Sequence, residues 1–168
     1  YFDTTDANLF YGRDTLTREL VGRLEKESFL AIVGASGSGK SSIVRAGIVP
    51  AWKAGIDEAG KGSLGSVHVL TPTAHPLESL AASLTRESES VTATSMLMDD
   101  MQKDSRSLRL YVRKLVSSLG NTNMLLIVDQ FEEAFTLCKD PVERKSFIEN
   151  LLSLAEEDGT ARVVLTIR

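Results

Sequence analysis

The sequence predicts an α/β domain, a parallel sheet covered by helices, and three observations carry that expectation. Short apolar runs, "FLAIV", "SVHVL", "MLLIV" and "RVVLTI", alternate with segments whose apolar residues recur at helical spacing, the pattern of strands joined by crossover helices. The glycine-rich stretch "GASGSGKSS", Gly34 to Ser42, lies between the first run and the next helical segment. The third run ends in an acid, Asp129. With 168 residues and 42% hydrophobic content, the chain suits one such domain with a buried sheet and is short for two.

The elements follow in order. Leu16, Leu20, Val21 and Leu24 fall on one face of a first helix, and "SFLAIVG" reads as a buried strand running into the glycine loop. "KSSIVRAGIVPAW" continues as a helix expected to end near Pro50, because proline lacks the amide donor and its ring clashes with the preceding turn. "SVHVLTP" is the second strand. Pro76 suits the first turn of a helix whose stripe is Leu77, Leu80, Ala81 and Leu84. Residues 86 to 104 are rich in Ser, Thr and charge with a small Met/Leu cluster, which predicts a mobile loop or short helix. Leu108, Tyr111, Val112, Leu115, Val116 and Leu119 make an amphipathic helix closed by Gly120. "MLLIVD" is the third strand. "DPVE" starts a helix, with Asp140 as cap, Pro141 first and Glu143 returning to the cap. That helix turns Phe147, Ile148, Leu151, Leu152 and Ala155 inward, Gly159 ends it, and "RVVLTI" is the fourth strand.

Composition narrows the function. A net charge of -4 gives no general pull toward nucleic acid or anionic lipid. The single cysteine, Cys138, makes no internal disulfide or thiolate cluster, and neither a long apolar span nor a signal-peptide pattern is visible. The expectation is a soluble, reducing, cytoplasmic setting. The start at Tyr1 and the end at Arg168, directly after an apolar run, suggest a piece of a longer protein. His68 and His75 lack partners at metal-ligand spacing, so packing or capping is expected of each. Cys138 and Trp52 have no catalytic neighbours in sequence.

The chemistry concentrates in two places. Gly34, Gly39, Lys40 and Ser41 fill each fixed position of G-x-x-x-x-G-K-[ST]. Glycines let backbone N–H groups turn toward an anion, and the following helix adds its free amides and positive end. Gly34, Ser36, Gly37, Ser38, Gly39, Lys40, Ser41 and Ser42 are therefore the expected cradle for nucleotide phosphates. Lys40 would reach the β- and γ-phosphates and the Ser41 hydroxyl would ligate Mg²⁺. Asp129, at the carboxyl end of its strand, is the natural second partner of Mg²⁺. Glu132 and Glu133 follow within one turn. Either one orients or deprotonates an attacking water, or both are acids favoured at the start of the next helix. Arg168 reaches a γ-phosphate if its strand lies beside the loop strand, and is otherwise a solvated arginine. Tyr11, Gly12 and Arg13 in "LFYGRDTL" line a nucleotide base and sugar, or form a helix-start turn with Asp14 near the helix start.

The guanine-reading N-K-x-D signature and a D-x-x-G switch are absent, which argues against a Ras-like GTPase, and no L-S-G-G-Q stretch points to an ABC ATPase. Taken together, "LFYGRDTLTREL", "FLAIVGASGSGKSSIVRAGIVPAW", "LLIVDQFEEAF" and "VVLTIR" resemble the motifs of the STAND group of signal-transducing P-loop NTPases, in the novel branch often joined to WD-repeat or other repeat arrays. The resemblance implies ATP or ADP as nucleotide, with Mg²⁺. It implies that Tyr11, Gly12 and Arg13 line the adenine and ribose side, that Glu132 and Glu133 match the family's acidic pair, and that Arg168 is its phosphate sensor. It implies a three-layer sandwich with spatial strand order 1-4-3-2, an additional strand between the loop strand and the Asp129 strand. The family continues into a fifth strand, a helical segment and a winged-helix-like lid, so residues 1–168 would be one core domain of a larger protein, cut before strand five. Residues 1–27 would carry the N-terminal nucleotide motif and helix, and residues 28–168 the sheet and its helices. The implied function is a slowly hydrolysing ATP switch, with effector or repeat domains and nucleotide-dependent self-association. A hydrolysis-dead binding scaffold and a P-loop phosphotransferase are the alternatives.

Overall fold

The structure, a computed structural model, describes residues 6–54, 65–86, 90–120, 123–156 and 159–168, with side chains from Asp14 onward. Helix α1 (Asp6–Lys26) leads to β1 (Phe29–Val33), the glycine loop, α2 (Lys40–Ile43), a π-helical turn (Val44–Ile48) and α3 (Val49–Ala54). Then come β2 (Ser66–Leu70), α4 (Pro76–Thr85), α5 (Val91–Lys103), α6 (Ser107–Ser118), β3 (Met124–Val128), α7 (Glu133–Thr136), α8 (Pro141–Leu154) and β4 (Ala161–Ile167). The four strands form one sheet in the order β1-β4-β3-β2, parallel at every pairing. This is the order expected from the resemblance.

Why the strands read as unbroken apolar runs is visible in β3, all of which is buried. Successive side chains of a strand point to opposite faces, and here both faces are covered. Met124, Leu126 and Val128 enter a core with Leu80, Leu108 and Phe147, built on α4, α5, α6 and α8. Leu125 and Ile127 enter a second core with Leu24, Ile48 and Trp52, built on α1, the π turn and α3. The result is three layers, helices on either side of a sheet, with parallel strands whose carboxyl ends share one edge.

Four local expectations are corrected by packing. The helix after the loop does not end at Pro50 but runs on to Ala54. The turn just before the proline is π-helical, with the Val49 N–H donating to the Val44 carbonyl. A wider turn accommodates the proline ring and its missing donor, and beyond it Trp52 is 1% exposed and anchors the continuation. Residues 91 to 103 form a full helix, because Leu97 and Met101 are buried and the Ser90 hydroxyl accepts from the Ala93 N–H. Leu152 is 59% exposed, so α8 buries a narrower stripe than the sequence implies. That helix also ends at Leu154 with Ala155 as its cap, before Gly159.

Two polar side chains of α8 brace the helical layer. Asp140 caps the helix as expected, accepting from the Val142 N–H at 2.8 Å. Glu143 instead crosses to α4, accepting from the Leu77 N–H at 3.2 Å and meeting His75 Nδ1 at 3.3 Å. An acid at the start of a neighbouring helix serves that helix's free amides and positive end. Asn150, fully buried, accepts from the Leu108 N–H at 3.1 Å and donates to the carbonyls of Met101 and Ser146 at 2.8 and 2.9 Å. It thus joins the end of α5 to the start of α6. Asn150→Leu leaves buried backbone groups unpaired and should cost on the order of 2–3 kcal/mol in urea unfolding, whereas Leu152→Ala should stay within about 0.5 kcal/mol. Equal effects at the two positions would contradict this account of α8.

Candidate functional site

The carboxyl ends of β1, β4 and β3 converge, and the loop between β1 and α2 is tied to them at its start. The Gly34 N–H donates to the Ile167 carbonyl at 3.1 Å. Gly37 and Gly39 have φ of 76° and 85°, a region that side chains disfavour, and this conformation curls the loop over the first turn of α2. The Lys40 ammonium lies inside the curl, donating to the carbonyls of Gly34 at 2.5 Å and Ala35 at 2.8 Å.

Asp129 follows β3 and is 3% exposed. Its Oδ1 accepts from the Ser41 hydroxyl at 2.8 Å and the Thr166 hydroxyl at 2.7 Å, and its Oδ2 meets Arg45 Nε and Nη2 at 3.3 Å each. Burial pushes the carboxyl upward, but the hydrogen bonds from Thr166, Ser41 and Arg45, with the charge of Arg45, outweigh it and hold the group below its ordinary value. Thr166 also accepts from the Gln130 N–H at 2.9 Å. Gln130 has a φ of 58°, the one positive value among described residues other than glycine. This sharp turn sends the chain from β3 toward Glu132, whose carboxylate accepts from the Arg168 N–H at 3.2 Å.

A cleft of about 440 Å³ opens over these groups. Of the residues expected from sequence, it is lined by Ser36, Gly37, Gly39, Lys40, Ser41, Ser42, Glu132, Glu133 and Arg168. Gly34 and Ser38 belong to the loop without lining the cleft, and Asp129 sits beneath it, attached through Ser41 and Thr166. The backbone of Tyr11, Gly12 and Arg13 belongs to α1, and their side chains lie outside the described residues. Helix α1 already runs from Asp6, so Asp14 is interior to it rather than near its start. No proline interrupts that stretch, and a single interior glycine costs a helix only about 1 kcal/mol.

Sequence reasoning missed four participants: Arg45, Gln130, Thr136 and Thr166. Arg45 stands four residues after Ser41, on the same helical face, and that spacing was a usable signal. Thr166 was the one hydroxyl in an apolar strand. Gln130 and Thr136 gave no signal, since their place depends on the turn after β3.

The donors suit a hard cation. The Ser41 hydroxyl and the Asp129 carboxylate are oxygen ligands of the kind Mg²⁺ takes. Among the described residues no group of three or more His, Cys, Asp or Glu gathers. Mg²⁺ characteristically uses one or two protein ligands and completes its shell with phosphates and water.

Because the folded-state value of Asp129 is depressed, its contribution to stability is complete above the ordinary carboxylate range, near pH 4, and is lost as pH falls through the folded value. The stability difference between the wild type and Asp129→Asn should therefore shrink in urea unfolding as pH is lowered from 7 to 3. A difference that is constant with pH would show that the charge is not what the site stabilises.

Comparison with known proteins bears on the family and the fold. The family model described as novel STAND NTPase 1 matches residues 1–168. None of the curated proteins matches the chain. Among solved structures, the Aeropyrum pernix ORC2 protein in ADPNP–ADP complexes is similar with a TM-score of 0.52 and 17% identity, over 93% of this chain. The match spans 39% of that protein's length, and at such identity it speaks to the fold alone. No helix among the described residues is long and apolar enough to cross a membrane. The chain belongs to the novel STAND NTPase 1 family, with the fold of a P-loop NTPase-type nucleotide-binding module.

Proposed function

We propose that the protein binds ATP with Mg²⁺ and hydrolyses it slowly, the bound nucleotide acting as the state variable of a larger cytoplasmic regulatory protein. The observation that carries this reading is the 2.8 Å bond between Ser41 and Asp129, beside a cleft that also holds Lys40 and Arg168. Family membership supports it, and so does the nucleotide in the complexes of the ORC2 protein, a structure of similar fold.

In this reading Lys40 exchanges the carbonyls of Gly34 and Ala35 for β- and γ-phosphate oxygens, and the loop amides from Ser36 to Ser42 cradle the phosphate chain. Ser41 and Asp129 hold Mg²⁺, which when bound neutralises phosphate charge. Glu132 or Glu133 orients a water and takes its proton as the water oxygen bonds to the γ-phosphorus. The bond from that phosphorus to the bridging oxygen breaks, giving ADP and phosphate. Arg168 balances the charge on the γ-phosphate. Tyr11, Gly12 and Arg13 face the adenine and ribose. Contacts to a γ-phosphate order neighbouring segments, and the Arg168 backbone is already bonded to Glu132. Loss of phosphate would thus be felt in both the turn after β3 and the end of β4. Repeat or effector domains, or a second copy of the protein, are the proposed recipients of that change.

Calorimetry with ATP, ADP and GTP, with and without Mg²⁺, tests the reading. ATP and ADP should bind more tightly than GTP and more tightly with Mg²⁺. Lys40→Ala should weaken ATP binding at least about tenfold, and unchanged affinity would remove the loop from the site. In phosphate-release assays, Glu132→Gln or Glu133→Gln should slow turnover by roughly 10²–10⁴ with little loss of binding. Tight binding with no turnover in the wild type would favour the scaffold.

A further inference from the structure

The Asp129 carboxylate is held unevenly. Oδ1 takes two short bonds, from Ser41 at 2.8 Å and Thr166 at 2.7 Å, whereas Oδ2 is met by Arg45 at 3.3 Å from both Nε and Nη2. A strong charge-assisted bond of this type measures about 2.7–2.9 Å, so the arginine is the loosest of the three attachments. The exposures are just as unequal. The Arg45 side chain is 59% exposed against 4% for Asp129. The guanidinium returns to water at little cost, while the buried carboxylate has no such exit. Arg45 is also the second residue of the π-helical turn Val44–Ile48, an irregularity that gathers at functional sites.

On the nucleotide and Mg²⁺ reading given above, we infer that Arg45 is a counter-ion that competes with Mg²⁺ for Asp129 Oδ2 and so sets the Mg²⁺ concentration at which nucleotide is held. A guanidinium and a divalent cation seek the same single negative charge, and two cations at one oxygen repel. Oδ1 keeps its two hydroxyl bonds whichever cation is present, so the carboxylate stays oriented while Oδ2 changes partner. Arg45 thereby keeps Asp129 charged and paired when Mg²⁺ is scarce, and its release into solvent accompanies loading. The assignment makes Arg45 a positioning residue that tunes cation demand without touching the nucleotide.

The test is calorimetric titration of ADP at stepped Mg²⁺ concentrations, with the wild type, Arg45→Gln, Arg45→Met and Arg45→Lys, each checked for folding by circular dichroism. The Mg²⁺ concentration giving half-maximal gain in ADP affinity should fall about threefold or more in Arg45→Gln and Arg45→Met. It should stay near the wild-type value in Arg45→Lys, which keeps the charge. ADP affinity in EDTA should be the same in all four proteins, and Arg45→Gln without Mg²⁺ should melt at a lower temperature. Either charge-removing variant decides the matter if only one of them folds. An unchanged or raised Mg²⁺ midpoint in these variants, or a shift as large in Arg45→Lys, overturns the inference and leaves the nucleotide reading standing. No ADP binding by the wild type at any Mg²⁺ concentration removes both.

Discussion

The site depends on keeping one buried carboxylate charged. Asp129 has lost its water, a cost that hydrogen bonds and an opposite charge must offset. They come from separate parts of the chain: Ser41 on α2, Thr166 on β4 and Arg45 on the π turn. Each partner fixes the place of the element that carries it. The carboxylate therefore works as a clamp, pulling the loop helix and the end of β4 onto the end of β3.

That clamp works only because β4 lies between β1 and β3. With β4 elsewhere in the sheet, Thr166 and Arg168 would be far from Asp129 and Lys40. Burial differs with place in the sheet rather than with composition, since β1 is wholly apolar whereas β4 carries Arg162 and Thr166. β3 is buried throughout and β4 nearly so, while the edge strand β1 leaves Val33 70% exposed. Parallel pairing then sends all the carboxyl ends to one edge, where ligands of open α/β sheets bind.

The helical layer over the other face of β3 has its own polar braces, and they help hold a segment of mixed propensity as a helix. α5 mixes strong helix formers (Ala, Met, Leu, Gln, Lys) with Val, Thr, Ser and Asp; Leu97 and Met101 bury against the sheet-side core and Asn150 holds its last turn to α6. Glu143 does the equivalent for α4. Tertiary contacts add to local propensity, as is usual for short helices.

The sequence alone determined the fold class, the four strands, the phosphate-type loop and the acid after the third strand. All are local signals: apolar runs, fixed glycine spacing and a single carboxylate at a strand end. The resemblance added the strand order and pointed to Arg168, whose strand the structure places next to the loop strand. Only the tertiary structure decided the rest. The π turn before Pro50 and the exposure of Leu152 are not written in the local pattern, while the crossing of Glu143 to α4 and the convergence of Arg45 and Thr166 on Asp129 join residues across elements. Arg45 is separated from Asp129 by 84 positions and Thr166 by 37. Periodicity can say which face of a helix or strand a residue occupies, but not which distant group will stand opposite it. That depends on how the sheet and its helices share the buried space.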